Sequence, residues 1–224
     1  MGPGWSNGRL SLRLDRCLGW KPTPVRSRPY HGGMAPELTI RALAPSTWPA
    51  FAGLAENSDG FPSGCWCMAF HSKGVGKETT PAMNREREQT RVLEDRAHAA
   101  LVFEDDSCVG WCQFGTPEEL PKIKSRAAYE KTATNLPDWR IGCCYVAKGH
   151  RGQRVAEAAL AGALELIAGR GSGVVEGYPE PAGSLPAGFL SNGTLSTNER
   201  LGFTRDRMIG NHRWVVTRVV EPVT

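Results

Sequence analysis

The stretch Val146-Ala147-Lys148-Gly149-His150-Arg151-Gly152-Gln153-Arg154-Val155-Ala156 joins two apolar segments of different periodicity. Before it, the apolar run from Trp139 to Val146 predicts a buried strand. After it, the apolar residues of 155–168 recur at spacings of one, three and four, which predicts an amphipathic helix. The sequence therefore places a strand, a glycine-containing turn and a helix in direct succession.

A turn of this kind is a potential anion-binding site. The unpaired amides of the first helical turn point outward, and the helix dipole adds a partial positive charge. A diphosphate can bind such main-chain donors, and Arg151 and Arg154 could add positive charge. The alternative interpretation is an ordinary strand-to-helix connection in some other α/β domain.

Strands and helices alternate through the rest of the chain from Leu38 onward. In chain order, the residue patterns predict a strand over 38–43, a helix that Ser46 caps, a helix over 84–98, a hairpin of 99–103 and 108–114, a helical stretch between 117 and 131, a strand over 139–146, a helix over 155–168, a strand over 174–178, a helix from Asn192 or Thr194 to Leu201, and a hairpin of 203–209 and 212–220. This order predicts an α/β fold with a mixed sheet of about seven strands, flanked by helices.

The first 36 residues differ from the rest in composition and charge. Residues 1–36 hold six Lys or Arg and one acid, which leaves 21 bases and 22 acids in residues 37–224. We interpret residues 1–36 as a flexible basic N-terminal extension and residues 37–224 as one domain. Because the domain is nearly neutral, we expect no nucleic-acid partner.

Hydropathy and cysteine usage indicate the cellular compartment of the protein. The chain has no apolar run of about 18 residues, and its N-terminus lacks the apolar core of a secretory signal, so we expect a cytoplasmic protein without a membrane span. Its seven cysteines are odd in number and include close pairs, so we expect reduced thiols rather than a disulfide framework.

Two motifs of this chain resemble those of the GNAT superfamily of acyl-CoA-dependent N-acyltransferases. Residues Arg151-Gly152-Gln153-Arg154-Val155-Ala156 are similar to the family's Gln/Arg-x-x-Gly-x-Gly/Ala motif, with Arg154 at the position of its middle glycine. Residues Asn198-Glu199-Arg200-Leu201-Gly202-Phe203 resemble the family's Tyr-Glu-Lys-Leu-Gly-Phe, with Asn198 at the position of the tyrosine that protonates the departing CoA thiolate. The resemblance extends from about Leu38 to Val220.

The resemblance implies a GNAT-like N-acetyltransferase that uses acetyl-CoA as co-substrate. It implies direct transfer, within a ternary complex, to a primary amine of a small molecule or a protein. The strand through Cys144, Tyr145 and Val146 would offer its backbone to the pantetheine arm and to the thioester oxygen. The implied cofactor-binding residues are Cys144, Tyr145, Val146, Arg151, Gly152, Gln153, Arg154, Val155, Ala156 and Asn192. A homodimer is left open.

Acids on strands near the central strand are the candidates for a general base. They are Glu176, on the strand after the helix, and Asp138, just before the central strand. Tyr178 is the candidate acid in place of the missing tyrosine. The alternative interpretations are a solvent-facing strand acid for Glu176 and simple packing for Tyr178.

Two further functions stay open alongside acetyl transfer. Because Arg154 and Asn198 replace a glycine and a tyrosine, a non-catalytic acyl-CoA-binding or regulatory module is the leading alternative. A zinc-binding module is the second, because Cys65, Cys67 and His71 supply three ligand types that zinc accepts. No fourth ligand is evident, so we expect no metal.

Overall fold

Seven strands form one sheet in the computed structural model, which describes residues 37–57, 64–183 and 191–223. The strands are β1 (Leu38–Ala42), β2 (His98–Glu104), β3 (Ser107–Gly115), β4 (Trp139–Val146), β5 (Gly173–Gly177), β6 (Thr204–Ile209) and β7 (Arg213–Val220). The helices are α1 (Trp48–Glu56), α2 (Pro81–Leu93), α3 (Arg126–Thr132), α4 (Val155–Arg170) and α5 (Leu195–Arg200). Short 3₁₀ turns lie at Met68–Phe70 and Lys148–His150. The predicted mixed α/β sheet is confirmed.

The spatial order of the strands is β1-β2-β3-β4-β5-β7-β6. Neighbouring strands run antiparallel except β4 and β5, which are parallel. That parallel pairing comprises only two residue pairs, Trp139 with Val175 and Arg140 with Glu176. Beyond Arg140, β4 continues to Val146 without pairing to β5, so the centre of the sheet has a gap between two strands.

Two apolar layers cover the faces of the sheet. On one face, α4 packs through Val155, Leu160 and Ile167 against a cluster that includes Ile40 and Val175. On the other face, α1 and the segment around Met68 contribute a second cluster rich in aromatic rings, with Trp48, Phe51, Trp66, Phe70 and Trp111. Burial of these side chains stabilises both layers by about 25 cal/mol per Å² of apolar surface.

Some element boundaries differ from the sequence predictions. Helix α1 begins after Thr47 rather than Ser46, because the Thr47 hydroxyl accepts the Ala44 N–H and donates to the Ala42 carbonyl, which fixes the turn ahead of the helix. Helix α2 begins earlier, at Pro81, where the Thr80 hydroxyl accepts the Met83 N–H. Of the stretch predicted as helical between 117 and 131, only the part from Arg126 onward forms a helix.

Three predictions concern the chain as a whole. The predicted extension, residues 1–36, lies outside the described residues. In the described part of the chain, no helix combines the length and the apolar character needed to cross a membrane. The six cysteines within that part are free.

Candidate active site

The open edge of β4, formed by the main-chain groups of Gly142, Cys144 and Val146, borders the gap between β4 and β5. The Cys144 N–H donates to the Ser191 carbonyl across 2.7 Å. The Gly142 carbonyl accepts from Asn192 Nδ2 at 3.2 Å, and the Val146 carbonyl accepts from Arg151 Nε at 3.4 Å. The structure therefore brings four predicted cofactor-binding residues, Cys144, Val146, Asn192 and Arg151, to one edge.

The other predicted residue of this strand faces a different way. Tyr145 pairs with Trp111 of β3, and the two rings stack with centroids 4.6 Å apart. Because main-chain polar groups alternate in direction along a strand, Tyr145 presents its N–H and carbonyl to β3 while its neighbours present theirs to the gap. An extended ligand in the gap would therefore meet the backbone of Cys144 and Val146.

The turn between β4 and α4 contains two residues with left-handed backbone, Gly152 and Arg154. Gly152 has φ +80°, and an added Cβ there would meet no atom within 4 Å. The last turn residue, Arg154, has φ +63° and precedes α4. The Ala158 N–H donates to the Arg154 carbonyl, so the preceding amides, including those of Val155 and Ala156, point out of the helix end. This geometry fits a diphosphate.

Arg154 has a left-handed backbone conformation. Its φ of +63° is one that glycine adopts freely and that costs an L-residue about 1–2 kcal/mol. The replacement of the motif's middle glycine by Arg154 therefore changes the side chain and adds strain, in a backbone conformation that glycine also adopts.

Charged side chains surround the start of α4. Arg154 and Arg200 both form ion pairs with Glu157, the latter through Nε at 2.9 Å. Partial burial alone would raise the pKa of Glu157, but the hydrogen bonds from the two guanidinium groups outweigh it and hold the pKa below its usual value. The ionised carboxylate thus fixes two cations beside the outward-pointing amides.

Asn198 occupies a buried position against β5. Its Nδ2 donates to the Thr194 carbonyl at 2.9 Å, and an added Cβ on Gly177 would lie 3.0 Å from its Oδ1. The amide therefore packs against the strand that borders the gap. An amide side chain has no ionisable proton to give a thiolate.

Glu176 lies where β4 and β5 separate. Its side chain is almost fully buried, and its Oε2 accepts hydrogen bonds from the Tyr129 hydroxyl at 2.8 Å and the Tyr178 hydroxyl at 2.9 Å. Arg207 lies 3.7 Å from Oε1. Because Val175 faces α4, Glu176 points to the opposite face of the sheet, toward α3.

The environment of this cluster favours the protonated form of both tyrosines. Burial raises the pKa of Tyr178, and the nearby charge of Glu176 raises it further. Burial also raises the pKa of Tyr129, as does its hydrogen bond to Glu176. Both hydroxyls therefore serve as donors to the carboxylate, and Tyr178 directs its proton at Glu176.

Asp138 lies at the paired end of the two strands. Its Oδ2 accepts the Val174 N–H at 2.7 Å, and its own N–H donates to the Val174 carbonyl at 3.0 Å. This carboxylate connects the beginning of β4 to β5. Its predicted role as a base stays a prediction, and Glu176 lies nearer the gap.

The three residues of the zinc-binding alternative do not gather into a ligand set. In residues 37–57, 64–183 and 191–223, no group of three or more His, Cys, Asp or Glu side chains could hold a metal ion. His71 instead uses Nδ1 to contact the Glu119 carbonyl at 2.8 Å and Nε2 to contact Gln113 at 3.2 Å. Burial raises the pKa of Cys65 to about 11, which disfavours the thiolate that zinc requires.

The sequence reasoning missed several members of the site. Tyr129 and Arg207 reach Glu176 from α3 and β6, and no local pattern links these distant segments. The ion pair between Arg154 and Glu157 could have been predicted from the sequence, because side chains three residues apart lie close together at a helix. Nothing in the sequence indicated that the Ser191 carbonyl would contact β4.

Comparisons with known proteins identify the family. The Acetyltransferase (GNAT) family profile matches residues 65–177, about half of the chain, so the chain belongs to this family. The matched segment runs from Cys65 to the end of β5, which includes the open edge and the turn before α4. The family is one of acyltransferases. The search of curated proteins found no match.

Solved structures show the same fold. The GNAT domain of S. lividans PAT is 12% identical, with a TM-score of 0.50, and the alignment covers 82% of this chain and 90% of that one. A mosquito arylalkylamine N-acetyltransferase like 5b is 11% identical, with a TM-score of 0.50, over 81% of this chain and 99% of that one. At these identities the likeness establishes the fold alone.

Proposed function

We propose that the protein is an N-acetyltransferase that moves an acetyl group from acetyl-CoA to a primary amine of a small molecule or a protein. The observation that carries the proposal is the two-residue pairing of β4 with β5, which leaves a gap ending at the outward-pointing amides of α4. Acetyl-CoA has a diphosphate that these amides would bind. It also has an extended pantetheine arm that would lie in the gap, along the open edge of β4.

Main-chain and side-chain groups of two regions would hold acetyl-CoA. The amides at the start of α4 and the guanidinium of Arg151 would bind the diphosphate, and the Cys144 N–H and the Val146 main chain would bind the pantetheine arm. For this, the Cys144 N–H would exchange the Ser191 carbonyl for the ligand. Acetyl-CoA supplies an activated thioester, so no covalent enzyme intermediate is required.

Proton transfer is assigned to the Glu176 cluster. The acceptor amine must lose a proton to become a nucleophile, and Glu176, at the point where the gap closes, is the base that we propose. The Tyr129 and Tyr178 hydroxyls keep the carboxylate oriented. We keep Tyr178 as the proposed acid: as its hydroxyl gives a proton to the leaving thiolate, the protonated Glu176 would return one to it across 2.9 Å. Fixing both reactants in the gap makes the attack effectively intramolecular.

A non-catalytic acyl-CoA-binding protein is the second candidate function. It is favoured by one observation: the position of the family's acid holds Asn198, whose amide is buried against Gly177. The two candidates share the binding step and differ in turnover.

The test measures acetyl-CoA-dependent release of free thiol across a panel of primary amines, including peptide N-termini. Product formation confirmed by mass would support the transferase. Tight binding of acetyl-CoA with no thiol release on any amine would favour the binding protein. The cytoplasmic location and the absence of nucleic-acid and membrane partners remain parts of this proposal, as does a homodimer.

A further inference from the structure

Two cysteines face each other across β3 and β4 beside the open edge. Cys112 and Cys144 are register partners on these strands, and their Sγ atoms lie 3.1 Å apart. We propose that Cys112 and Cys144 form a dithiol site that low-molecular-weight disulfides oxidise reversibly to a cross-strand disulfide.

The backbone geometry permits this bond. The Cys144 N–H points into the gap, toward Ser191, so Cys112 and Cys144 form a pair that exchanges no main-chain hydrogen bonds. Such antiparallel pairs have Cα atoms about 4.5 Å apart, within the range of about 4.4–6.8 Å that disulfides span. Closing the bond therefore needs only a small approach of two thiols already in contact.

Accessibility gives the two cysteines different roles. Cys144 is half-buried, whereas Cys112 is fully buried. The contact with Cys144 and burial both raise the pKa of Cys112, which makes it a poor first nucleophile. Cys144 is thus the attacking thiol and Cys112 the resolving one.

The chemistry balances with a disulfide as oxidant. The Cys144 thiolate attacks one sulfur of glutathione disulfide, the S–S bond breaks, and one glutathione leaves as the thiolate. Cys112 loses its proton and attacks the Cys144 sulfur of the mixed disulfide, which expels the second glutathione. The two protein thiols are oxidised, the glutathione disulfide is reduced, and the two protons end on the two glutathione molecules.

A neighbouring thiol pair provides an internal comparison. Cys143 points to the other face of β4, and its thiol forms a hydrogen bond with Cys67. Both of these side chains are buried, with 7% and 2% of their surfaces exposed, so an external disulfide has no route to them. We therefore expect oxidation at Cys112 and Cys144 and not at Cys67 and Cys143.

Oxidation would also change the open edge. The Cys144 main chain forms part of that edge, and the new bond shifts it toward β3. Misplacement of a binding group by an ångström can cost large factors in activity, and we expect about tenfold weaker binding of acetyl-CoA. This consequence rests on the proposed function, whereas formation of the disulfide does not.

The experiment maps the disulfide in the full chain. Reduced protein is incubated with glutathione disulfide, alkylated and digested with trypsin without reduction. Tryptic peptides 97–122 and 141–148 each contain two cysteines, so the measurement uses a Cys108→Ser, Cys143→Ser background in which only Cys112 and Cys144 remain in them. We expect the two peptides to be linked, and to separate after dithiothreitol. Unlinked peptides, with or without glutathione on Cys144, would overturn the proposal.

Two additional measurements complete the test. In the same background, Cys112→Ala should abolish the link and leave glutathione on peptide 141–148. If the background variant fails to fold, fragmentation of the linked wild-type peptides identifies the bonded sulfurs. Calorimetry with acetyl-CoA then compares the oxidised and reduced forms. Equal affinity would contradict the coupling, whereas no binding by the reduced form would contradict the proposed function and leave the dithiol result standing.

Discussion

The β4–β5 pair has a closed end, where Trp139 and Arg140 pair with Val175 and Glu176, and an open end, where β4 continues beyond Arg140 without β5. The two ends differ in their polar contacts. At the closed end, the Asp138 carboxylate binds the Val174 amide, and Glu176 accepts two tyrosine hydroxyls. At the open end, β4 extends to Val146 paired with β3 but not with β5, and the turn that follows directs amides outward. The two carboxylates of the closed end are thus hydrogen-bonded within the protein. At the open end, the Cys144 N–H and the Gly142 carbonyl contact Ser191 and Asn192, and the first amides of α4 point outward, so we infer that this end binds a ligand.

Substitution of Glu176 tests the link between the closed end and chemistry. Glu176→Gln keeps the shape and the acceptor oxygen for the tyrosines but removes the base, so we expect turnover to fall about 100-fold. Affinity for acetyl-CoA should stay unchanged, because the carboxylate faces away from the α4 start. The measurement is thiol release at saturating acetyl-CoA, with Glu165→Gln on the exposed face of α4 as the control. Turnover equal to wild type would remove Glu176 from the mechanism.

A glycine substitution tests the stability of the closed end. Gly173 has φ +130°, and an added Cβ would lie 2.3 Å from Asp138 Oδ2, so Gly173→Ala should strain the backbone and displace the bond to Val174. We expect the free energy of unfolding to fall by about 2–3 kcal/mol in urea denaturation. The matched control is Gly169→Ala near the end of α4, where an added Cβ meets nothing within 4 Å. If both substitutions lowered the free energy of unfolding by a similar amount, the hydrogen bond between Asp138 and Val174 would not be what stabilises the closed end.

At the open end, Arg151→Ala should weaken binding of acetyl-CoA about fivefold, because an exposed guanidinium beside the amides of α4 contributes about 1 kcal/mol to holding a diphosphate. The difference from wild type should shrink as salt rises, because exposed charges are screened. Titrations at low and high salt measure both effects. Arg126→Ala, an exposed arginine on α3, is the control. Equal losses for the two variants would indicate a nonspecific charge effect.

The left-handed residue before α4 gives the smallest expected effect. Arg154→Gly and Arg154→Ala both remove the guanidinium, so their difference isolates the backbone. At φ +63°, glycine avoids the strain that alanine keeps, and the glycine variant should be more stable by about 1 kcal/mol. Equilibrium unfolding of the two variants checks this. A more stable alanine variant would mean that the turn adopts another conformation.

Local periodicity accounts for what the sequence predicted well. The apolar run of β4 and the spacing of α4 are long, regular signals, and both elements begin where the pattern predicted. The structure of short or polar segments was harder to predict from the sequence. The stretch from 117 to 125 was predicted as part of a helix, but Pro121 has no N–H to donate within a helix, and this stretch forms no helix in the structure. At α1, Thr47 and Ser46 are both capping residues, and only tertiary contacts of Thr47 decide between them.

The candidate site was less accessible from the sequence because it depends on distant contacts. The turn before α4 is local, so its motif and anion-binding geometry could be predicted. The cluster around Glu176 unites Tyr129, Tyr178 and Arg207 from three separate segments, and their approach depends on how the sheet is ordered. The extent of the β4–β5 pairing is also nonlocal, since no residue pattern states where two parallel strands separate.

Binding of the diphosphate at the start of α4 is tested most directly by calorimetric titration of the reduced protein with acetyl-CoA, alongside dephospho-CoA and free pantetheine as partial ligands. We predict one site per chain with a dissociation constant of about 1 µM to 1 mM, and much weaker binding of pantetheine, which lacks the diphosphate. No heat with acetyl-CoA, or equal affinity for pantetheine, would contradict the claim that the start of α4 binds the diphosphate.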